Sequence, residues 1–343
     1  MELVAEYGLF LAKAVTVVVA IGLLVGWLAS VIHQARSADR EQLEVRNVNK
    51  RLQHMANTLH AELLTKRQRK TRRKQRKAEE KRRAKEEKLG KSPAGKRLFV
   101  LDFIGDVRAS AVDQLRDEIS AVLQVAEDDD EVLLRLESAG GMVHGYGLAA
   151  SQLKRLRDNG LRLTVAVDKL AASGGYMMAC VGERIVAAPF AIIGSIGVVA
   201  QIPNFNRVLR DKHIDYELHT AGDHKRTLTV FGENTDEARA KFREELEATH
   251  GLFKDFVARH RSGIDIDSVA TGEHWHASQA LERSLVDDII TSDDILLQAV
   301  RQQRPVFEIQ YRTPAGFMAR LSGRAAAGVR DTAGAVIRSL LQQ

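Results

Sequence analysis

The chain has 343 residues, 45% of them hydrophobic, enough to bury a sizeable core in roughly two domains. Its formal net charge of +6 is local in origin: residues 66–91 hold fifteen Lys or Arg against four Glu, so the remainder is net acidic. A single cysteine, Cys180, excludes an intramolecular disulfide and any fold that depends on an oxidising compartment.

Residues 7–32, YGLFLAKAVTVVVAIGLLVGWLASVI, carry one charge, Lys13, near one end. About 20 apolar residues cross a hydrocarbon core of roughly 30 Å, so this run is expected to be a retained transmembrane helix. A cleaved signal peptide would open on basic residues, whereas Glu2 and Glu6 lead here. Arg36, Arg40, Arg46, Lys50 and Arg51 follow the span, and no Lys or Arg precedes Lys13. Basic flanks resist translocation, so everything after Ile32 is expected in the cytoplasm.

Apolar anchors are few between residues 36 and 95. The segment KRQRKTRRKQRKAEEKRRAKEEK is built from helix formers and cannot bury a core by itself, so a solvated helical or disordered spacer is expected. Residues 66–91 could also hold anionic lipid headgroups, at about 1 kcal/mol per Lys or Arg near a membrane surface. They lack interleaved aromatics and a recognition motif, so no specific nucleic-acid partner is expected. LGKSPAGKR, residues 89–97, has the Gly, Ser and Pro of a domain boundary.

From Arg97 onward strand and helix patterns alternate. RLFVLDFIGDV, EVLLRLES and LRLTVAVD read as buried strands; SAVDQLRDEISAVLQVAE, GYGLAASQLKRLRD and GGYMMAC read as helices. This predicts an α/β fold with a mainly parallel sheet and functional loops at the carboxyl ends of its strands. Two such loops stand out. ESAGGMVHGYG places Gly140 and Gly141 where a strand hands over to a helix, exposing amide N–H groups. AASGG places Ser173 at the end of the next strand, either as a nucleophile or as an N-cap of the helix after it. Side by side, these loops would set a hydroxyl against an oxyanion site, as acyl transfer requires.

A serine nucleophile needs a base. His213, His219, His224, His274 and His276 are available, and so is Lys225, just past the expected strand DYELHT in a glycine-containing loop. Lysine serves only when neutral, so its pKa must fall from about 10.4 toward 7 or 8 by desolvation, at a cost of roughly 3 to 5 kcal/mol. A solvated Lys225 beside Arg226 would stay charged and inert, and position alone favours that state.

Other features carry less. RIVAAPFAIIGSIGVVAQIP, residues 184–203, has the hydropathy of a second span, but Pro189, Gly194, Ser195 and Gly197 break its helical character. A crossing there would also put Ser173 and Lys225 on opposite sides of the membrane, so a catalytic pair requires this run to be core. His274 and His276 lack the further ligands of a zinc site, and no cofactor or metal is expected. Cys180 reads as a buried small residue. Phe317, Leu321, Val329, Ile337 and Leu340 fall loosely on helical faces of a packing tail.

The ordered set ESAGG, AASGGYMMA, GSIGVV, AGDHKR and GEHWHASQALERSLVDDI resembles the signal peptide peptidase A family of Ser/Lys proteases. The resemblance covers nearly the whole chain and is clearest over residues 97–290. GENTDEARAKFREELEATHGLFKDFV, with the anchored N-terminus and basic spacer, is similar to one branch of that family. The resemblance implies Ser173 as nucleophile and Lys225, 52 residues on, as general base. It also implies an oxyanion hole from the Gly174 N–H and an amide of the Gly140 and Gly141 turn. The family usually reads Ser-Pro-Gly-Gly, and Ala139 here replaces the proline that would fix φ in that turn.

The implied fold is a ClpP/crotonase-like spiral of ββα units behind an N-terminal transmembrane helix. The expected organisation is an anchor at 1–35, a charged spacer at 36–95, a protease domain at 96–300 and a C-terminal extension with a helical tail at 301–343. The implied protein is a single-pass bacterial inner-membrane serine endopeptidase that forms a homo-oligomeric ring, cleaves peptides or unfolded segments, and meets the bilayer through residues 7–32. Better-known relatives act on the outer face of the membrane, so a periplasmic domain is the alternative topology. Two other functions fit the residues less well: a catalytically silent scaffold recruiting partners through the basic spacer, and acyl-CoA chemistry on the same architecture.

Overall fold

A computed structural model describes residue 13 and residues 42–88, 96–222 and 225–312. The expected span at 7–32, apart from Lys13, and the apolar positions of the C-terminal tail lie outside the described residues. Among the described residues no helix is long and apolar enough to cross a membrane.

The chain enters through β1 (Gln42–Asn47), α1 (Val48–Leu63) and the basic α2 (Lys66–Lys88). It then alternates as expected: β2 (Leu98–Gly105), α3 (Val112–Val125), β3 (Glu131–Ser138), α4 (Val143–Asp158), β4 (Arg162–Val167), β5 (Leu170–Ala172) and α5 (Gly174–Ala179). The 184–203 run becomes two short strands, β6 (Arg184–Ala187) and β7 (Ile192–Gly194), separated by Pro189. Beyond them come α6 (Asn206–Asp211), the long α7 (Asp236–His260), α8 (Ile266–Val269), β8 (His274–His276), α9 (Ala277–Glu282), β9 (Asp288–Ile289), α10 (Ser292–Arg301) and β10 (Val306–Arg312).

Strands β10, β2, β3, β4, β6 and β9 lie in that order, each parallel to its neighbour. A second path leaves β3: β5 pairs with β3 and β7 in parallel, and β7 pairs antiparallel with β8. The branch matters because Ser138, the last residue of β3, pairs with Ala171, two residues before Ser173. Side-chain alternation divides the sheet's core. Phe99, Leu101 and Phe103 pack with Leu115, Ile119, Leu153 and Tyr176, while Leu98, Val100 and Leu133 pack with Val48, Leu296 and Ala299.

The start of the basic spacer departs from a solvated segment. Val48 is 1% exposed, the Asn49 side chain accepts the Val306 N–H at 2.8 Å and donates to the Arg304 carbonyl at 2.8 Å, and Arg51 pairs with Glu308 at 3.2 Å. Glu308 also meets Arg135, whose guanidinium grips Asp102 on β2 through two bonds of 2.5 and 2.6 Å. These links tie α1, β10, β2 and β3 together. Helix α2, by contrast, is exposed wherever its side chains are described.

DYELHT is not a strand. Residues 215–220 are irregular and exposed, and no strand among the described residues supplies the ladder that an extended segment needs. Around them Phe205, Tyr216 and Phe231 stack loosely, with ring centroids 6.2 and 5.9 Å apart, yet each remains more than 40% exposed.

Candidate active site

Ser173 closes β5 and opens α5 with φ +52° and ψ −119°, a backbone state that L residues rarely adopt. Such strain costs about 1 to 3 kcal/mol and persists only where its surroundings enforce it. Here the Ser173 N–H donates to the Gly194 carbonyl at 2.8 Å, and the Ser173 carbonyl accepts from the Met177 N–H at 3.0 Å. The hydroxyl makes no capping bond to α5. The serine therefore sits at a helix N-terminus without serving as its cap, and its oxygen is left for another partner.

The glycine turn after β3 packs directly on this position. Gly140 has φ +88°, and a Cβ there would stand 2.6 Å from the Gly174 nitrogen and 2.8 Å from the Ser173 Cβ, so no larger residue fits. The Gly140 N–H donates to Ser138 Oγ at 3.1 Å. The Gly141 N–H has no acceptor among the described residues, and the Gly174 N–H, first in α5, has no acceptor within its helix.

A relay beneath the turn fixes it. The Tyr146 hydroxyl donates its only proton to the Asp106 carbonyl at 2.8 Å, so the 2.5 Å contact between Tyr146 and Ser138 must be Ser138 donating. Ser138 Oγ is then free to accept from Gly140. Tyr146 is wholly buried, burial pushes its pKa up, and its ring fills the space that a Cβ on Gly174 would need. Neither Ser138 nor Tyr146 was visible as a site residue from the motifs, because the relay exists only once α4 has folded back over the end of β3.

Ser173, Gly140, Gly141 and Gly174 line one cavity of about 780 Å³. Its apolar wall includes Val107, Met142, Val143, Met177, Val199 and Phe253; its other polar side chains are Ser195, Thr249, His250 and Thr271. Ser195 shares the unusual backbone of Ser173, with φ +50°. Among the described residues His250 is the only titratable side chain of the lining, and its Nε2 is buried without a hydrogen-bond partner. An orphaned buried polar atom costs about 1 to 3 kcal/mol, and His250 is not one of the five histidines that the sequence offers as candidate bases.

Lys225 does not line this cavity. It is exposed, and its backbone N–H donates to the Gly222 carbonyl at 3.2 Å. The other candidate bases are also absent from the lining. His213 is exposed, His219 is exposed beside Glu217, His274 and His276 are the exposed ends of β8, and His224 lies outside the described residues. No group of three or more His, Cys, Asp or Glu among the described residues could hold a metal. Cys180 is fully buried and burial pushes its thiol up, which keeps it neutral and inert.

Two family models cover most of the chain: the N-terminal part of peptidase family S49 matches residues 2–153, and the family S49 peptidase region matches residues 155–305. The chain is 48% identical to the probable protease SohB of Haemophilus influenzae over 91% of its length and 90% of that protein. It is also 48% identical to the probable protease SohB of Buchnera aphidicola, over 91% of each chain. Among solved structures, a membrane-bound stomatin-specific protease in complex with a substrate peptide aligns with TM-score 0.39 and 15% identity, over 60% of this chain and 80% of that one, too distant to argue from. Together with an extended match at 48% identity, the two models establish that the chain belongs to peptidase family S49, on its SohB-type branch.

Proposed function

We propose that the protein is a membrane-anchored serine endopeptidase in which Ser173 attacks the scissile carbonyl, Lys225 takes its proton, and the Gly174 and Gly141 amides receive the oxyanion. The observation that carries this reading is a hydroxyl without a partner among the described residues, held at φ +52° at the N-terminus of α5 and in contact with the Gly140 turn, in an apolar cavity large enough for a peptide segment. Attack would form a Ser173 Oγ–carbonyl carbon bond and expel the amine, which leaves with the proton that Lys225 took from the hydroxyl. Water then hydrolyses the acyl-enzyme.

The proposal requires Lys225 to leave water and meet Ser173. Several side chains near it in sequence supply a driving force, since Val199 is 81% exposed and Phe205, Val208, Ile214, Tyr216, Leu218 and Phe231 are also exposed. Apolar area of that extent is stabilised by about 25 cal/mol per Å² when covered, which supports the family's homo-oligomeric ring as the state in which Lys225 becomes buried. The ClpP/crotonase-like spiral, the anchor at 7–32, anionic-lipid contact by 66–91 and a cytoplasmic domain complete the reading, with the periplasm as the alternative side.

The test is cleavage of fluorescein-labelled casein by the full chain. Ser173→Ala and Lys225→Ala should each abolish it while circular dichroism and thermal unfolding stay unchanged. Turnover retained by either variant would remove that residue from the mechanism. The exposure of Lys225 favours one rival, a catalytically silent scaffold, in which neither substitution changes anything measured.

A further inference from the structure

Helix α7 reaches the cavity through Thr249, His250 and Phe253, positions that share one helical face. Phe253 and Val257 continue that face into the main core, and Thr235 caps the helix by accepting the Ala238 N–H at 3.1 Å, so His250 stands on a rigid element. Nothing in the proposed acyl transfer uses it. Yet among the described residues it is the sole titratable group of the lining, and its Nε2 is shut off from water with no partner.

A peptide entering this cavity brings main-chain N–H and C=O groups that lose their water and must find new partners. Most of the wall is apolar or glycine and cannot supply side-chain bonds. A neutral imidazole can donate or accept according to its tautomer, and rotation about χ2, broad for an imidazole, turns Nε2 toward a ligand without moving α7. We propose that His250 is a positioning residue for the substrate: its Nε2 exchanges a hydrogen bond with the main chain of the peptide segment bound beside Ser173. This inference deepens the endopeptidase reading and rests on it for the identity of the ligand.

The experiment uses the full chain and fluorescein-labelled casein. Binding is read by fluorescence anisotropy in the Ser173→Ala background, and cleavage in the chain with Ser173 intact. His250→Phe should raise Kd and KM about tenfold, equivalent to about 1.4 kcal/mol, with kcat within about twofold. His250→Gln, which keeps a donor and an acceptor, should recover most of the loss. Thermal stability of His250→Phe should match or exceed that of the unsubstituted chain, because an orphaned polar atom has been removed. Unchanged Kd and KM in His250→Phe would overturn the proposal, as would a collapse of kcat with Kd unchanged, which would place His250 on the reacting groups instead. If nothing is cleaved but casein binding still depends on His250, the peptidase reading fails and this one stands. Absence of casein binding by every variant overturns it.

Discussion

The two halves of the proposed site differ in how much of their chemistry is already built. On the Ser173 side, a positive φ, a glycine turn that tolerates no Cβ and the Tyr146 relay hold every backbone group in place, all anchored to buried strand ends. On the Lys225 side, the described residues between β7 and α7 hold one short helix, α6, and a loose aromatic cluster, and Val199, Phe205, Val208, Ile214 and Phe231 face water although Ile196 is buried in the core. On the proposed reading, Ser173 would be preorganised by the fold of one chain, while Lys225 would depend on an event that buries the segment carrying it. Such a division would let the domain fold without an active protease and gain activity on the proposed assembly.

The contrast can be broken from either side, and the largest effect is expected at the glycine turn. Gly140→Ala forces a Cβ against the Gly174 nitrogen and imposes φ +88° on a residue that resists it, so casein cleavage should fall about 100-fold or more as the oxyanion amides move. Steady-state kinetics reads this directly, and near-normal kcat would mean that the turn takes no part in the chemistry. Tyr146→Phe removes the hydroxyl that serves both Asp106 and Ser138; it should cost about 1 to 3 kcal/mol in a urea titration and lower kcat about tenfold through the loosened Gly140 N–H. A loss of stability with kcat intact would separate the relay from the site.

Phe231→Ser probes the other half. It should leave the unfolding free energy within about 1 kcal/mol, because the ring is 44% exposed, but weaken self-association seen by analytical ultracentrifugation and lower cleavage with it. Unaltered association would place the covering surface elsewhere. The smallest effect is set by acid. The Ser110 hydroxyl first, then the amides of Ser110 and Arg108, holds the Asp106 carboxyl below its ordinary range. A depressed carboxylate contributes stability that is present above its unfolded value of about 3.9 and is lost as pH falls through the folded value. Hydrogen exchange at the Met142 amide, which donates to the Val107 carbonyl, should therefore speed up in that acid window and lose the step in Asp106→Asn.

Much of this was legible in the residues because the physics behind it is periodic or local. Buried parallel strands such as LFVLDFIG are apolar on both faces, and ESAGG and AASGG mark strand ends by glycine alone. Pro189, Gly194, Ser195 and Gly197 break the 184–203 run as a span, a catalytic pair requires it in the core, and its first half forms β6 and β7. What escaped depends on partners far apart in sequence. DYELHT has strand composition but no neighbour to pair with, and Asn49 is an ordinary helix residue until β10 arrives beside it. His250 reads as one polar position in a long charged helix, and only the packing of α7 against the cavity singles it out.

The central claim is that Ser173 is a nucleophile held ready beside vacant amides. Incubating the full chain with a fluorophosphonate probe, digesting it and locating the adduct by mass spectrometry tests this most directly. The account predicts a single phosphonyl adduct on the peptide that contains Ser173, lost in Gly140→Ala and in Lys225→Ala. A chain that cleaves casein while the probe labels another serine, or leaves Ser173 unlabelled, would contradict it.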